Sequence, residues 1–271
     1  MKDIIDIMKE QKLTFKVQRR GSVTEIYYRG QKINYKARTN RMAGIHIINQ
    51  VKKEVKARIS DTAYTLPNIS KPKPYFYDFY SLPNIMDAIE GKDEIVAIDI
   101  NNAYWDTLHK IGAIGKICHR KGLYDSKNAL RLDYKLARNA SIGSLAAATY
   151  IEEYVNGELS GERQIVENPY RFINYQVVTT IFNMAADVAR ELDRDLLFFL
   201  SDCFFIKRQA IKKVTPIIKS AEYNWKCKTI TGINLVKENS IHKLVWVDGG
   251  EPKSYMFNPF SQIPSFRRET A

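Results

Sequence analysis

Two aspartates stand where packing alone hardly explains an acidic side chain. Asp99 follows the apolar run Ile95-Val96-Ala97-Ile98, and Asp202 interrupts the nearly continuous apolar stretch from Leu196 to Ile206. A carboxylate buried without a partner in such surroundings is costly, so each is expected at a strand end or turn. If the two runs are neighbouring strands, the carboxylates converge and can hold divalent cations, which metal-assisted phosphoryl transfer requires. Taken singly, Asp99 equally suits a cap for the next helix and Asp202 a plain hairpin tip. Lys127, Arg131, Lys135 and Asn139 recur every four residues. They share one helix face, either a cationic rail or an ordinary solvated surface.

The elements that must position these groups follow from periodicity. From Glu94 the sequence predicts a strand (Ile95 to Ile98), a helix from Ala103 to Ile111, an irregular basic segment, and a long helix from about Ser126 to Tyr154. A second helix runs from about Tyr170 to Leu192, and a hairpin follows with Asp202 at its tip. This is an α+β pattern, a sheet with helices on one face. Upstream, residues 1–10 suit a short helix, and Leu13–Val17, Val23–Tyr28 and Ile33–Tyr35 alternate as an antiparallel β-meander. A helix from about Met42 to Ile59 carries Lys52, Lys53 and Lys56, and four prolines between Leu66 and Pro83 mark a linker. The expected division is a basic module at 1–70, a linker at 71–93, a catalytic domain at 94–240 and a C-terminal strand-and-turn extension at 241–271.

The chain has 271 residues, 45% apolar and 11% aromatic, enough for a buried core. Its formal charge is +12, of which roughly +10 falls in residues 1–71. Such a field suits nucleic acid through phosphate contacts, with Lys52, Lys53 and Lys56 as contacts, and equally an acidic protein or lipid headgroups. Cys118, Cys203 and Cys227 show no paired spacing, so neither a disulfide framework nor a zinc site is expected. No apolar run approaches the ~20 residues that span a bilayer, and a soluble, cytoplasmic protein is expected, with no membrane partner.

Three segments in fixed order carry a family resemblance: Asp99-Ile100-Asn101-Asn102-Ala103-Tyr104, then Lys135, Asn139 and Gly143 at four-residue steps, then Ser201-Asp202-Cys203. They resemble motifs A, B and C of the family B DNA polymerases. The resemblance implies a polymerase palm, with Asp99, Asp202 and the Ile100 carbonyl as ligands of Mg²⁺ or Mn²⁺. It further implies that Lys135 and Arg131 contact the triphosphate, and that Asn139 and Tyr104 shape the pocket of a deoxynucleotide. The chain departs from the motifs at Trp105, Ala140, Ile142 and Leu200, the last standing where the family has its first motif C aspartate. The spacing implies shortened fingers and no exonuclease domain. Lys243, or Lys253 with Tyr255, resembles the element that holds the primer end, and Gln262–Phe266 resembles a sliding-clamp-binding peptide.

The expected function is thus a minimal DNA polymerase, a nucleotidyltransferase acting on DNA and deoxynucleoside triphosphates, of the size that phages or mobile elements encode. A protein partner that supplies fingers or thumb is compatible with the short chain. A reverse-transcriptase-like or template-independent nucleotidyltransferase is one alternative. A palm-derived nucleic-acid-binding protein without catalysis is the other.

Overall fold

The computed structural model describes residues 4–20, 23–35, 45–60, 69–123, 134–238, 241–257 and 261. Contacts divide the chain into two compact units: unit 1 is Met1–Ile69 with Gly112–Tyr175, and unit 2 is Ser70–Ile111 with Gln176–Ala271. The chain opens in unit 1 with α1 (Ile4–Glu10), β1 (Phe15–Arg20), β2 (Val23–Tyr28), β3 (Gln31–Tyr35) and α2 (Ile45–Ile59). It enters unit 2 with β4 (Asp78–Tyr80), α3 (Leu82–Glu90), β5 (Ile95–Ile100) and α4 (Ala103–Lys110). It returns to unit 1 with α5 (Lys116–Leu123), α6 (Tyr134–Ala146), β6 (Thr149–Val155), β7 (Glu158–Leu159) and β8 (Gln164–Val166). Helix α7 (Arg171–Leu192) leads back to unit 2, followed by β9 (Leu196–Leu200), β10 (Cys203–Lys207), α8 (Ile211–Ser220), β11 (Trp225–Glu238), β12 (Ile241–Asp248) and β13 (Glu251–Met256). Among the described residues no helix is long and apolar enough to cross a membrane.

Unit 1 contains the expected meander, extended on its far side. Its sheet runs β3-β2-β1-β6-β7, with β8 also on β6, and β1 pairs antiparallel with β6 from Phe15↔Tyr154 to Arg20↔Thr149. The long helix expected through Tyr154 therefore stops at Ala146. From Thr149 the chain alternates outward and inward, with Glu152 and Tyr154 buried, and completes a sheet whose other strand lies far earlier in sequence. The turn after β6 is Asn156-Gly157, both at positive φ (51° and 83°), the dipeptide that tight hairpins favour. A side chain at Gly157 would place its Cβ 2.3 Å from the Lys9 carbonyl, so glycine is required there. One sheet face carries Phe15, Val17, Ile26 and Tyr154, covered by Ile5 and Met8 of α1. Ile47, Val51 and Val55 form the buried stripe of α2, which packs with α5 and α6. Helix α5 occupies part of the segment expected to be irregular.

Unit 2 is built on a seven-stranded antiparallel sheet in the order β13-β12-β11-β5-β10-β9-β4. The expected linker at 71–93 is corrected here. Asp78–Tyr80 forms an edge strand on β9, and α3 begins at Ser81, whose side chain accepts the Asn84 N–H at 3.5 Å as an N-cap. The expected cut at residue 241 likewise falls inside the sheet, because β12 pairs with both β11 and β13. Counting only its unit 2 elements, the chain from β5 to β11 traces strand, helices, two strands, helix, strand, with the strand order β11-β5-β10-β9. That is a split β-α-β arrangement, which returns the last strand beside the first.

The two faces of this sheet are distinct, and helices cover both rather than one. Ala97, Phe198, Phe205 and Trp246 share a face with Ile85 and Ala88 of α3; Phe198 stacks on Phe205 at 3.8 Å. Phe79, Phe199, Phe204 and Ile98 occupy the opposite face by strand alternation, and Phe182 of α7 meets Phe79 there, edge to face. Each fully buried aromatic contributes about 1.5–3 kcal/mol of hydrophobic stabilisation, so the two aromatic layers make β9 and β10 the rigid centre of the unit.

Candidate functional site

The rigid centre ends at two aspartates. Residue Asp99 is directly opposite Cys203 of β10 on one side and Lys226 of β11 on the other. Directly opposed residues of an antiparallel pair point to the same face with Cβ atoms ~4.5–5.5 Å apart. Cys203 in turn opposes Leu200, and Leu200 opposes Asp78. One row across five strands therefore reads Asp78, Leu200, Cys203, Asp99, Lys226. Asp202 sits in the two-residue turn beside Cys203, and the Ile100 N–H donates to its carbonyl at 2.9 Å. The strand neighbourhood on which the expected convergence of Asp99 and Asp202 depends is thus present. Burial, then the charges of Asp99 and Asp202, push the Cys203 thiol far above its ordinary pKa.

The turn that presents Asp202 is held on several sides. Ser201 has φ 62°, in the left-handed region that non-glycine residues enter at a cost. Its N–H donates to the Tyr77 carbonyl at 2.6 Å, and its carbonyl accepts the Tyr104 hydroxyl at 3.1 Å. Burial raises the Tyr104 phenol to about 12, with a second hydrogen bond, donated by the Ser201 hydroxyl to the Tyr104 oxygen at 3.2 Å, opposing that rise and the Asp202 charge adding to it. Tyr104 therefore anchors the turn as a neutral donor at neutral pH. Ile100 brings only its backbone to the site, because its side chain is buried.

The Asp99 carboxylate takes no hydrogen bond or ion pair among the described residues, although Lys226 stands across from it. Two adjacent carboxylates, one of them without a protein partner, fit a hard divalent cation such as Mg²⁺, whose remaining positions go to water and phosphate oxygens. Among the described residues no group of three or more His, Cys, Asp or Glu side chains is arranged to hold a metal.

The other expected residues fall elsewhere. Lys135 and Asn139 lie on α6 in unit 1, both exposed and one turn apart. Arg131 and Lys127 lie outside the described residues, as does Gln262–Phe266. On α2 of unit 1, Lys53 and Lys56 are exposed, whereas Lys52 is half-buried, its pKa lowered by burial and then by the charge of Arg20. In unit 2, Lys253 opposes Trp246, on the Asp99 face, and pairs with Asp248 at 2.5 Å. Lys243 alternates with Leu244 and Trp246 and so occupies the opposite face. The Tyr255 hydroxyl donates to Asp78, a carboxylate only 9% exposed that also accepts the Ser261 hydroxyl at 3.1 Å.

Sequence reasoning missed Asp78, Lys226, Lys228 and Asp248. Asp78 was hidden inside the proline-marked segment. The period-two spacing of Lys226 and Lys228 was visible, but that they face Asp99 was not, since only the pairing of β11 with β5 decides it. Comparisons with family models, with curated proteins and with solved structures return no match.

Proposed function

We propose that this chain is a metal-dependent nucleotidyltransferase with a reduced palm like that of the family B DNA polymerases, adding deoxynucleotides to a primer 3′ hydroxyl. The observation that supports the reading is the placement of Asp202 in the turn beside Cys203, the residue that opposes Asp99, at one end of the central strands of a split β-α-β sheet. Mg²⁺ or Mn²⁺, when bound, supplies Lewis-acid activation of the primer hydroxyl and charge neutralisation on the triphosphate. Asp99 and Asp202 hold it, with the Ile100 carbonyl as a further ligand. Tyr104 fixes the turn and lines the sugar side of the pocket. For Lys135, Asn139 and Arg131 a contact with the incoming nucleotide is supported by the motif resemblance alone. Lys52, Lys53 and Lys56 are assigned to the nucleic-acid backbone, as is Lys253. For Tyr255 the hydrogen bond to Asp78 favours a structural part over a contact with the primer.

A second reading has its own support. Leu200 stands where the motif has a carboxylate, and no third acidic ligand joins the pair among the described residues. A palm without catalysis would still bind nucleic acid.

Primer extension separates the two. Wild type, Asp99→Asn and Asp202→Asn are compared with Mg²⁺ or Mn²⁺, with deoxynucleotides or ribonucleotides, with and without template. The expected result is metal-dependent addition of deoxynucleotides, reduced at least about 100-fold in each variant, the scale of losing one preorganised electrostatic group. Equal extension by wild type and variants would overturn the proposed site. No extension by any of them, with DNA binding intact, would establish the binding reading.

A further inference from the structure

The row that contains Asp99 does not end there. Lys226 follows it on β11, and Lys228, two residues on and opposite Ala97, emerges on the same face. The Lys228 ammonium lies 3.4 Å from Asp248 at the end of β12, and Asp248 is shared with Lys253 of β13. Both lysines hold the Asp248 carboxyl below its ordinary range. Three strand steps of ~4.8 Å separate β5 from β13, so these cations extend ~14 Å from Asp99. Lys226, Lys228 and Lys253 are all exposed. Among the described residues no ion pair engages Lys226, and one carboxylate serves the other two. Glu251 opposes Asp248 on the same face and its charge also reaches Lys253, so the exposed track leading from the aspartates across β11 to β13 sets three lysines against two carboxylates and is cationic by a surplus of one.

We infer that Lys226 and Lys228, continued by Lys253, form a phosphate track that carries the backbone of a nucleic-acid strand to the Asp99 and Asp202 pair. The inference rests on the proposed function for the role of the aspartates and adds the path and its residues. A strand is the occupant because the line that starts at Asp99 and runs through Lys226 and Lys228 on β11 to Lys253 on β13 crosses three strand steps, ~14 Å between backbones, a longer path than a single triphosphate chain follows. Charge also sets an order of events. Asp99 and Asp202 repel a phosphodiester until a divalent cation neutralises them, so the track holds the strand at its Lys228 end without metal and along its whole length with metal.

The test is fluorescence anisotropy of a labelled primer–template DNA with the full chain, titrated across salt concentrations with and without Mg²⁺. The proteins are wild type, Lys226→Gln, Lys228→Gln, and Lys212→Gln on α8 as a control exposed lysine. The track predicts that Lys226→Gln and Lys228→Gln each weaken binding several-fold and flatten the salt dependence by about one phosphate contact, while Lys212→Gln does neither. It further predicts that Mg²⁺ tightens binding of wild type and does so less for Asp99→Asn. Affinity and salt slope in Lys226→Gln equal to those of Lys212→Gln would overturn it. So would a defect seen only in competition by free deoxynucleoside triphosphate. Extension assays on the same samples keep the two proposals apart. Metal-dependent extension with normal binding by Lys226→Gln sinks the track and spares the polymerase. Weakened binding by Lys226→Gln in a protein that never extends a primer does the reverse.

Discussion

Unit 1 and unit 2 treat a carboxylate on a sheet face in opposite ways. In unit 1, Glu152 of β6 is 3% exposed, and Arg19 and Arg163 both bind it, so that together they hold its pKa below the ordinary value against the effect of burial. Its neighbours follow suit, Lys16 with Glu153 and Lys32 with Glu25. In unit 2, Asp99 of β5 has Lys226 directly across the strand pair and makes no ion pair with it. One sheet neutralises its acids internally and the other presents an acid at the end of its most rigid strands. A carboxylate's surroundings, more than its position on a strand, decide whether it is neutralised within the fold or left open to a ligand. Asp78 belongs with Glu152 in this respect. Although it lies in the same transverse row as Asp99, the Tyr255 and Ser261 hydroxyls satisfy it.

That contrast can be broken by mutation. The largest stability effect is expected at the buried end of the row. Tyr255→Phe leaves Asp78 with one donor fewer and should lower stability by about 1–3 kcal/mol. All three tryptophans, Trp105, Trp225 and Trp246, lie in unit 2, so tryptophan fluorescence during chemical denaturation reads this change. A loss of DNA affinity at unchanged stability would instead return Tyr255 to a primer-binding role.

Glu152→Gln comes next. Its arginines are about half exposed and can turn to water, so the cost should be about 1–2 kcal/mol, read by far-ultraviolet circular dichroism because unit 1 holds no tryptophan. The sign of its pH dependence follows from a folded-state pKa lying below the unfolded one. The contribution is full above the unfolded value of about 4.3 and is lost as pH falls through the lower folded value. Wild type should therefore lose stability on acidification below about pH 4, and the Gln variant should lose less over the same window. Identical acid limbs would show that the Arg19–Glu152–Arg163 cluster does not stabilise unit 1.

The smallest effect is the sharpest for the comparison. Asp99 supports no contact, so Asp99→Asn should change stability by no more than about 0.5 kcal/mol while abolishing extension. A large destabilisation would place Asp99 with Glu152 among the structural carboxylates.

The elements with strong local patterning were legible in the sequence: the meander, the strand before Asp99, α7, and the hairpin whose apolar strands bracket Asp202. Their periodicity is a property of neighbouring residues, so no distant partner is needed to see it. The segment after α6 shows the limit. Thr149–Val155 continues a helical composition, and its strand state depends on pairing with β1, more than 120 residues earlier. The Asn156-Gly157 dipeptide that closes its hairpin was a local signal, overridden by the apparent length of the helix. Asp78–Tyr80 was masked in the same manner by flanking prolines, which sit comfortably before an edge strand.

By itself the sequence determined that an acidic residue would end each of two apolar strands, that positive charge would concentrate early in the chain, and that the segments resembling polymerase motifs would come in order. Those are matters of composition, period and spacing along one dimension. Tertiary structure alone decided that Asp99 and Lys226 share a face with Asp202 in the adjoining turn, that Lys243 does not, and that Asp78 is satisfied while Asp99 is left open. Strand register decides these things, because a shift of one residue in the pairing of β5 with β10 or β11 would send every one of those side chains to the other side of the sheet.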